Sequence, residues 1–510
     1  MNTESSASFD TAQAYTPLND RPGFAQPLRI PKAGWRIIPQ IDKDPRFVAY
    51  AQTLPGRIGL FGVFTAFAFL SSLGVDFSVA PLAAICGYKQ EYRRYLIPAA
   101  TLVLLWKNGF WVDTGLVQRV VEQEGLANQV NQSLLFFGML ALVLALCSCL
   151  LVFWPRIVAI PFFRRSTLCL IAGFIVLVIA AQSPIAVGVP RVLLWSFLMT
   201  LVPYLWFLAY ALADTGTLNR TAFWQHLGVF HPFWGASLTP FGKGLSYLGK
   251  FEAKTPEDLA VTQLKGLKLA CWTVLLAVCL SSFIKLLHGY LALPLFDDTF
   301  LAYIAGSPCP RYLCWISLVA YFVEDVLTMA VWGGAIVACA RMAGFRLLRN
   351  TYRPLESGTL AEFWNRYYFY YKELLVDHFF YPVFLRYFRT NLKLRIFFAT
   401  FTAACVGNLI FHFIRDIRFV EELGWWQAVS GEASHAFYTF SLAIGVGLSQ
   451  MRAQNRERST GWLRGRLLPC LWVVLFFCVL HVFDAPLDRV HSIWQRTHFL
   501  SYLMGIDTWI

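Results

Sequence analysis

Ionised side chains are what this sequence has least of: Asp, Glu, Lys and Arg together make up 14% of 510 residues. A water-soluble body of that size needs a larger charged surface, so an ordinary cytosolic enzyme is excluded. The 12 cysteines include no Cys-x-x-Cys pair, which removes zinc ribbons and thioredoxin-type redox chemistry from consideration. Cys147, Cys149, Cys169, Cys271, Cys279, Cys339, Cys405, Cys470 and Cys478 fall within apolar stretches and read as small buried hydrophobes, while Cys309 and Cys314 flank a loop where pairing on an oxidising face stays open. There is no His-Glu-x-x-His, no phosphate-cradling glycine loop, no nucleophile elbow built on serine, and no repeat of fixed period. Residues 1–55 contain no continuous apolar core, so a cleavable export signal is not expected.

What is abundant is hydrocarbon. Hydrophobic residues make up 57% of the chain and aromatics 16%, with a mean hydropathy of +0.53. Stretches long enough to cross a roughly 30 Å apolar layer recur, most clearly Ser133 to Trp154, Ser166 to Ser183, Val192 to Ala213, Gly266 to Ile284, Ile396 to Ile414 and Leu467 to Phe483. Weaker stretches lie at Ile58 to Leu73, Tyr95 to Trp106, Tyr312 to Ala340 and Ala436 to Leu448. The pattern predicts an all-α polytopic membrane protein with about ten spans, the shorter ones re-entrant or tilted. Residues 1–55 read as a polar tail, cytoplasmic or at the interface, and 56–510 as one integral membrane domain.

The net charge of +13 comes from basic residues clustered between spans. Lys89, Arg93 and Arg94, then Arg156, Arg164 and Arg165, then Arg452, Arg456, Arg458, Arg464 and Arg466 mark cytoplasmic loops by the excess of positive charge that such loops carry. They form no stripe interleaved with stacking aromatics, so the charge speaks for the lipid bilayer as partner and against nucleic acid.

Two polar excursions interrupt the spans. The first, Asp214 to Lys265, carries His226, His231 and several prolines and glycines, and is expected as a loop or re-entrant segment. The second, Arg341 to Arg395, packs Phe363, Trp364, Tyr367, Tyr368, Tyr370 and Tyr371 beside Asn365, Arg366, Lys372, Glu373, Asp377 and His378. That is too many charges for a lipid-facing helix and too many rings for a solvated loop, so amphipathic helices at the interface or lining a polar cavity are expected. A lone histidine, His412, lies inside the apolar stretch Ile396 to Ile414. Desolvating an imidazole in hydrocarbon is costly, which makes His412 a functional candidate, set against a core histidine that only bonds a neighbouring helix.

The run from Ala340 to Leu347 (Ala-Arg-Met-Ala-Gly-Phe-Arg-Leu), then Asn350, Tyr352, Arg353, Pro354 and Leu355, then Leu360-Ala361-Glu362-Phe363-Trp364-Asn365-Arg366 resembles the motif set of the membrane-bound O-acyltransferases (MBOAT). The nearest branch is the bacterial one with alginate O-acetyltransferases and the teichoic-acid D-alanyl transfer protein. Asp377, Tyr381 and Pro382 echo its next element, His412 takes the place of its invariant histidine, and Gln263 to Lys268 resembles a short Gly-Leu-Lys element that opens a span. The similarity covers about residues 225–450. The chain departs from the pattern at Tyr367-Tyr368, where relatives carry Trp-His, at Val376, where they carry Arg, and around His412, where Ile410, Phe411 and Phe413 replace smaller neighbours.

The resemblance implies helices around a central tunnel, acyl-CoA as donor substrate with acetyl-CoA the simplest case, and a hydroxylated glycan or secreted acceptor. It also implies a bacterial cytoplasmic membrane, a possible extracytoplasmic partner protein, and no permanently bound cofactor or metal. An alcohol attacks a thioester only when a base takes its proton, and an imidazole, titrating near 6.5 in water, suits that task; His412 is the expected base. On a helix Asn408 and Asp416 flank His412 at four-residue spacing. Asn408, by geometry, and Asn365, by family position, are both candidates for the second catalytic polar group, while Asp416 is expected to fix the imidazole tautomer or to end the helix. Trp364, Arg366, Tyr368, Asp377 and Arg415 are the expected substrate-binding residues. A transporter component and a scaffold subunit that has lost its chemistry are the rival readings.

Overall fold

The computed structural model describes residues 38–70, 79–88, 92–108, 113–214, 223–453, 462–484 and 491–506. Residues Ile41–Ile510 form one compact unit, helical throughout among the described residues apart from one isolated bridge between Glu252 and Phe345. Among the described residues six helices are long and apolar enough to cross a membrane: Gln132–Ile157, Val189–Asp214, Pro256–Tyr290, Arg311–Met342, Leu392–Arg415 and Leu463–His481. Five of them correspond to the strongest apolar stretches. The sixth, Arg311–Met342, coincides with one of the weaker stretches because Glu324 and Asp325 interrupt it. Of the other stretches, Ser166–Gln182 and Leu54–Ala68 are apolar but shorter helices, and Arg93–Asn108 carries an internal proline, Pro98.

Burial distinguishes the spans. Val189–Asp214 has 78% of its apolar window buried within the protein, against 17% for Pro256–Tyr290 and 22% for Gln132–Ile157. Lipid tails are as apolar as leucine, so an outer helix keeps leucine, valine and phenylalanine on its exposed face, and only a central helix is covered all round. At Pro203 the central helix loses an N–H and passes through a 3-10 turn, Val202–Tyr204. Such a break in backbone bonding is tolerated at membrane depth where protein or a cavity, instead of lipid, surrounds it.

Pro256–Tyr290 and Arg311–Met342 lie along each other over most of their length. Close approach requires small residues: a Cβ on Gly334 would fall 2.5 Å from Thr273 Oγ1. Pro256–Tyr290 starts with Thr255 as cap, its hydroxyl accepting from the Asp258 amide at 3.1 Å. Of the expected tail, residues 1–37 lie outside the described residues, while Asp44 caps the helix Pro45–Gln52, which packs on Pro256–Tyr290, and Asp42 is buried in an ion pair with Lys268.

The two excursions enter the protein. In the first, the helices Phe223–Phe230 and Leu245–Phe251 frame a segment in which Phe233, Trp234, Ala236 and Phe241 are buried. In the second, the helices Leu360–Tyr367 and Phe369–Leu375 bury Phe363, Tyr370 and Leu374. The aromatic density therefore supplies core packing here, and the surface-lying alternative does not hold for these rings.

Two π-helical segments position the polar groups. Val376–Phe380 continues the Phe369–Leu375 helix, and Thr402–Gly407 interrupts Leu392–Arg415 one turn before His412. The two pack together, and a Cβ on Gly407 would lie 2.7 Å from Cγ and Cδ2 of Phe379. Each π segment inserts an extra residue into the turn and rotates the helix beyond it, a device concentrated at functional sites.

Candidate functional site

After the π segment the helix Asn408–Arg415 resumes with Asn408 and His412 on one face. Asn408 is buried, and its Oδ1 accepts from the Tyr371 hydroxyl at 2.6 Å. The His412 ring lies 6.1 Å, edge to face, from Tyr371 and 4.1 Å from the ring of His435. His435 is at the start of the helix Ala433–Ala453; its Nδ1 is 3.2 Å from Asp484 Oδ1 and its ring stacks on Tyr438 at 5.5 Å. Nε2 of His435 is buried without a hydrogen-bond partner among the described residues. Asp484 follows the end of Leu463–His481, so both groups lie at helix ends remote from Arg452, Arg464 and Arg466.

Beside this group, Asp325 of Arg311–Met342 accepts from the Tyr367 hydroxyl and stands 3.6 Å from His481 Nε2, while His481 Nδ1 bonds the Phe477 carbonyl at 2.8 Å. Two carboxylates, three imidazoles and four tyrosines, Tyr321 among them, thus share one half-buried region, with both carboxylates about a third exposed. Arg415, one turn after His412, lies within electrostatic reach of Asp484 and Tyr371 and holds Asp416 through two bonds of 2.9 and 2.6 Å. Arg415 and Asp416 also line a cavity of about 310 Å³ together with Asp113, Arg418, Leu238 and the broken turn at Val202 and Pro203. Its lining combines charged residues with apolar ones. Asp416 is engaged by Arg415, and the carboxylate on the ring next to His412 is Asp484.

A second polar cluster lies across an aromatic wall. Lys243 Nζ, with its side chain 5% exposed, is 2.6 Å from Glu373 Oε2 and 2.8 Å from Asp377 Oδ2. Lys372 pairs with Glu373, and the Tyr210 hydroxyl donates to Asp377 at 2.9 Å. Burial by itself raises a carboxyl, but Lys372 and Lys243 outweigh it and hold Glu373 down at about 2. Burial also lowers a lysine, yet Asp377 and Glu373 carry Lys243 above its ordinary range. Lys243 takes this place in a left-handed backbone conformation, φ 52°, which a non-glycine residue adopts at a cost of about 1–2 kcal/mol. His378 bonds Thr167 Oγ1 through Nδ1 at 2.7 Å, and burial pushes it down to about 4. The wall between the clusters is Trp206, stacked on Phe411 at 5.7 Å and edge-on to Phe379 at 6.2 Å.

The structure gathers His412, Asn408 and Arg415 in the first cluster, with Trp364 and Tyr368 adjoining it through Tyr371 at 6.3 and 5.5 Å. The Tyr368 hydroxyl bonds Ser237 Oγ at 2.9 Å. Asp377 belongs to the Lys243 cluster. Arg366 pairs with Glu362 of its own helix at 2.5 Å and is about a third exposed, and Asn365 is half-buried beside it. His226 and His231 are buried, which lowers both to about 4, and His231 meets the Tyr204 hydroxyl at 3.3 Å.

Sequence reasoning gave no role to Asp484, Asp325 and Lys243, named Tyr371 only among the dense aromatics, and read His435 and His481 as interfacial imidazoles near span ends that need no special explanation. One signal was present: Glu324-Asp325 within an apolar span, where carboxylates are rarely without purpose. His435 and Asp484 lie near span ends and gave none. A scan against protein-family models finds no match, and a search of curated proteins finds none either.

Proposed function

We propose that this chain is a membrane-embedded O-acyltransferase that moves an acyl group from acyl-CoA to a hydroxyl of a glycan or secreted acceptor, with His412 as general base. The observation that carries the reading is the packing of the His412 ring against His435, itself held by Asp484, in a half-buried polar region beside the Arg415 cavity. Acyl transfer to an alcohol needs a base for the hydroxyl proton, donors for the charge that develops on the carbonyl oxygen, and exclusion of water, and these residue types supply all three. The resemblance of residues 340–412 to the O-acyltransferase motifs adds the donor and acceptor classes.

In this reading about ten helices cross a bacterial cytoplasmic membrane around a tunnel. The donor enters from the side of the basic loops. The acceptor approaches from the opposite side, where His435, Asp484 and Arg415 end their helices. Transfer is direct: the hydroxyl oxygen attacks the thioester carbon, His412 takes the proton, the carbon–sulfur bond breaks, and the proton passes to the departing thiolate. Purified protein in lipid discs, given radiolabelled acetyl-CoA and soluble glycan acceptors, should place label on an acceptor, and His412→Ala should abolish this with insertion intact. Full activity of that variant rejects the base.

A second reading, a proton-coupled transporter component, is favoured by Glu324 and Asp325, two carboxylates within one span, the former 2.9 Å from His288 Nε2. It requires solute accumulation driven by a pH gradient in vesicles, without acyl transfer.

A further inference from the structure

We propose that His435 is a second catalytic residue of this site, the donor that stabilises the oxyanion of the tetrahedral intermediate, with Asp484 as its positioning residue. This inference rests on the acyl-transfer reading above. Asp484 Oδ1 faces Nδ1 of His435 at 3.2 Å, so Nδ1–H is committed to the carboxylate and the ring is held in one orientation. The Tyr438 ring, stacked on it at 5.5 Å, prevents rotation out of that plane. The remaining nitrogen, Nε2, is buried and has no hydrogen-bond partner among the described residues. An orphaned polar nitrogen in a buried place is costly unless it serves something that binds there.

The neighbouring ring is His412, at 4.1 Å with a 38° tilt. Two imidazolium ions at that distance repel, so the charged form of one ring keeps the other neutral. The arrangement assigned here has His412 neutral, as a base must be, and His435 in its charged form, balanced by the Asp484 carboxylate at 3.2 Å. His435 then offers Nε2–H next to the atom that accepts the hydroxyl proton. The geometry suits a reaction centre between the two rings: His412 faces the attacking hydroxyl, and His435 donates to the thioester carbonyl oxygen as negative charge grows on it. The donor is charge-assisted and fixed in advance, and so costs no reorganisation during the reaction. No bond to His435 forms or breaks; the proton removed by His412 still leaves on the thiolate.

The test uses the full-length protein in lipid discs, with acetyl-CoA and an accepted glycan. His435→Ala should lower kcat by about 100- to 1000-fold while the KM for acetyl-CoA stays within about twofold, because the bond is made in the transition state alone. His435→Gln, which retains an N–H donor, should recover at least about tenfold of that loss, and Asp484→Asn should fall between the two. A phosphonate analogue of the tetrahedral intermediate should lose affinity in His435→Ala by about the same factor as kcat, and coenzyme A should not. Unchanged kcat in His435→Ala overturns the proposal. So does a loss that His435→Gln does not relieve, or a phosphonate that binds as tightly as to the unaltered protein. Absence of transfer by the unaltered protein is a different result, which overturns the acyltransferase reading and this assignment with it.

Discussion

Lys243→Met tests whether the second cluster is a structural ion network. The substitution preserves length and removes one charge from between Glu373 at 2.6 Å and Asp377 at 2.8 Å. Breaking a buried pair by deleting one partner costs about 3–5 kcal/mol, because the other charge is left desolvated. Here Glu373 retains Lys372 and Asp377 retains the Tyr210 hydroxyl, so the lower end, about 3 kcal/mol, is expected. Holding Glu373 at about 2 instead of 4.5 corresponds to about 3 kcal/mol of stabilisation, of which Lys243 supplies only a share beside Lys372, so the rest of the expected loss comes from the stranding of Asp377. The sign comes from the direction of the shift. A depressed carboxyl stabilises the fold above its ordinary value, and that stability is lost as pH falls from about 4.5 to about 2. The gap between Lys243→Met and the unaltered protein should therefore be widest at neutral pH and narrow as the pH drops toward 3. Denaturant unfolding in detergent, followed by tryptophan fluorescence at several pH values, measures it. A gap below about 1 kcal/mol at pH 7, or one that is flat with pH, refutes the reasoning.

Gly407→Val drives side-chain atoms into Phe379, whose Cγ lies 2.7 Å from where a Cβ would be; overpacking of about 1–3 kcal/mol should appear as a lowered unfolding midpoint. Asp325→Leu removes the acceptor for Tyr367 and the partner of His481, at a cost of about 1–3 kcal/mol from the stranded donors, and thermal unfolding in detergent checks it. Arg366→Ala should change stability by less than about 1 kcal/mol, because its pair with Glu362 is partly solvated; a raised KM for acetyl-CoA in that variant would mark Arg366 as a donor contact.

Five of the six spans were legible from hydropathy because a helix that crosses the bilayer, facing lipid or packed in the protein centre, is apolar over most of its length, a one-dimensional property. Arg311–Met342 was less so, since Glu324 and Asp325 lower its hydropathy, and only packing reveals that His288, Tyr367 and His481 satisfy them. His412 stood out for the same reason the spans did: one polar residue in an apolar run is visible without a fold.

Composition and order along the chain thus determined the membrane class, the principal spans and the base candidate, each of which is local. The tertiary structure alone decided which groups meet. His412, His435 and Asp484 come from three different helices or their ends, and π segments at Thr402–Gly407 and Val376–Phe380 turn side chains out of the register that regular helices predict. Asp377 joined Lys243 instead of the histidines because burial of a lone lysine demands a carboxylate, a pairing across 134 positions of sequence between residues 243 and 377 that no local pattern encodes.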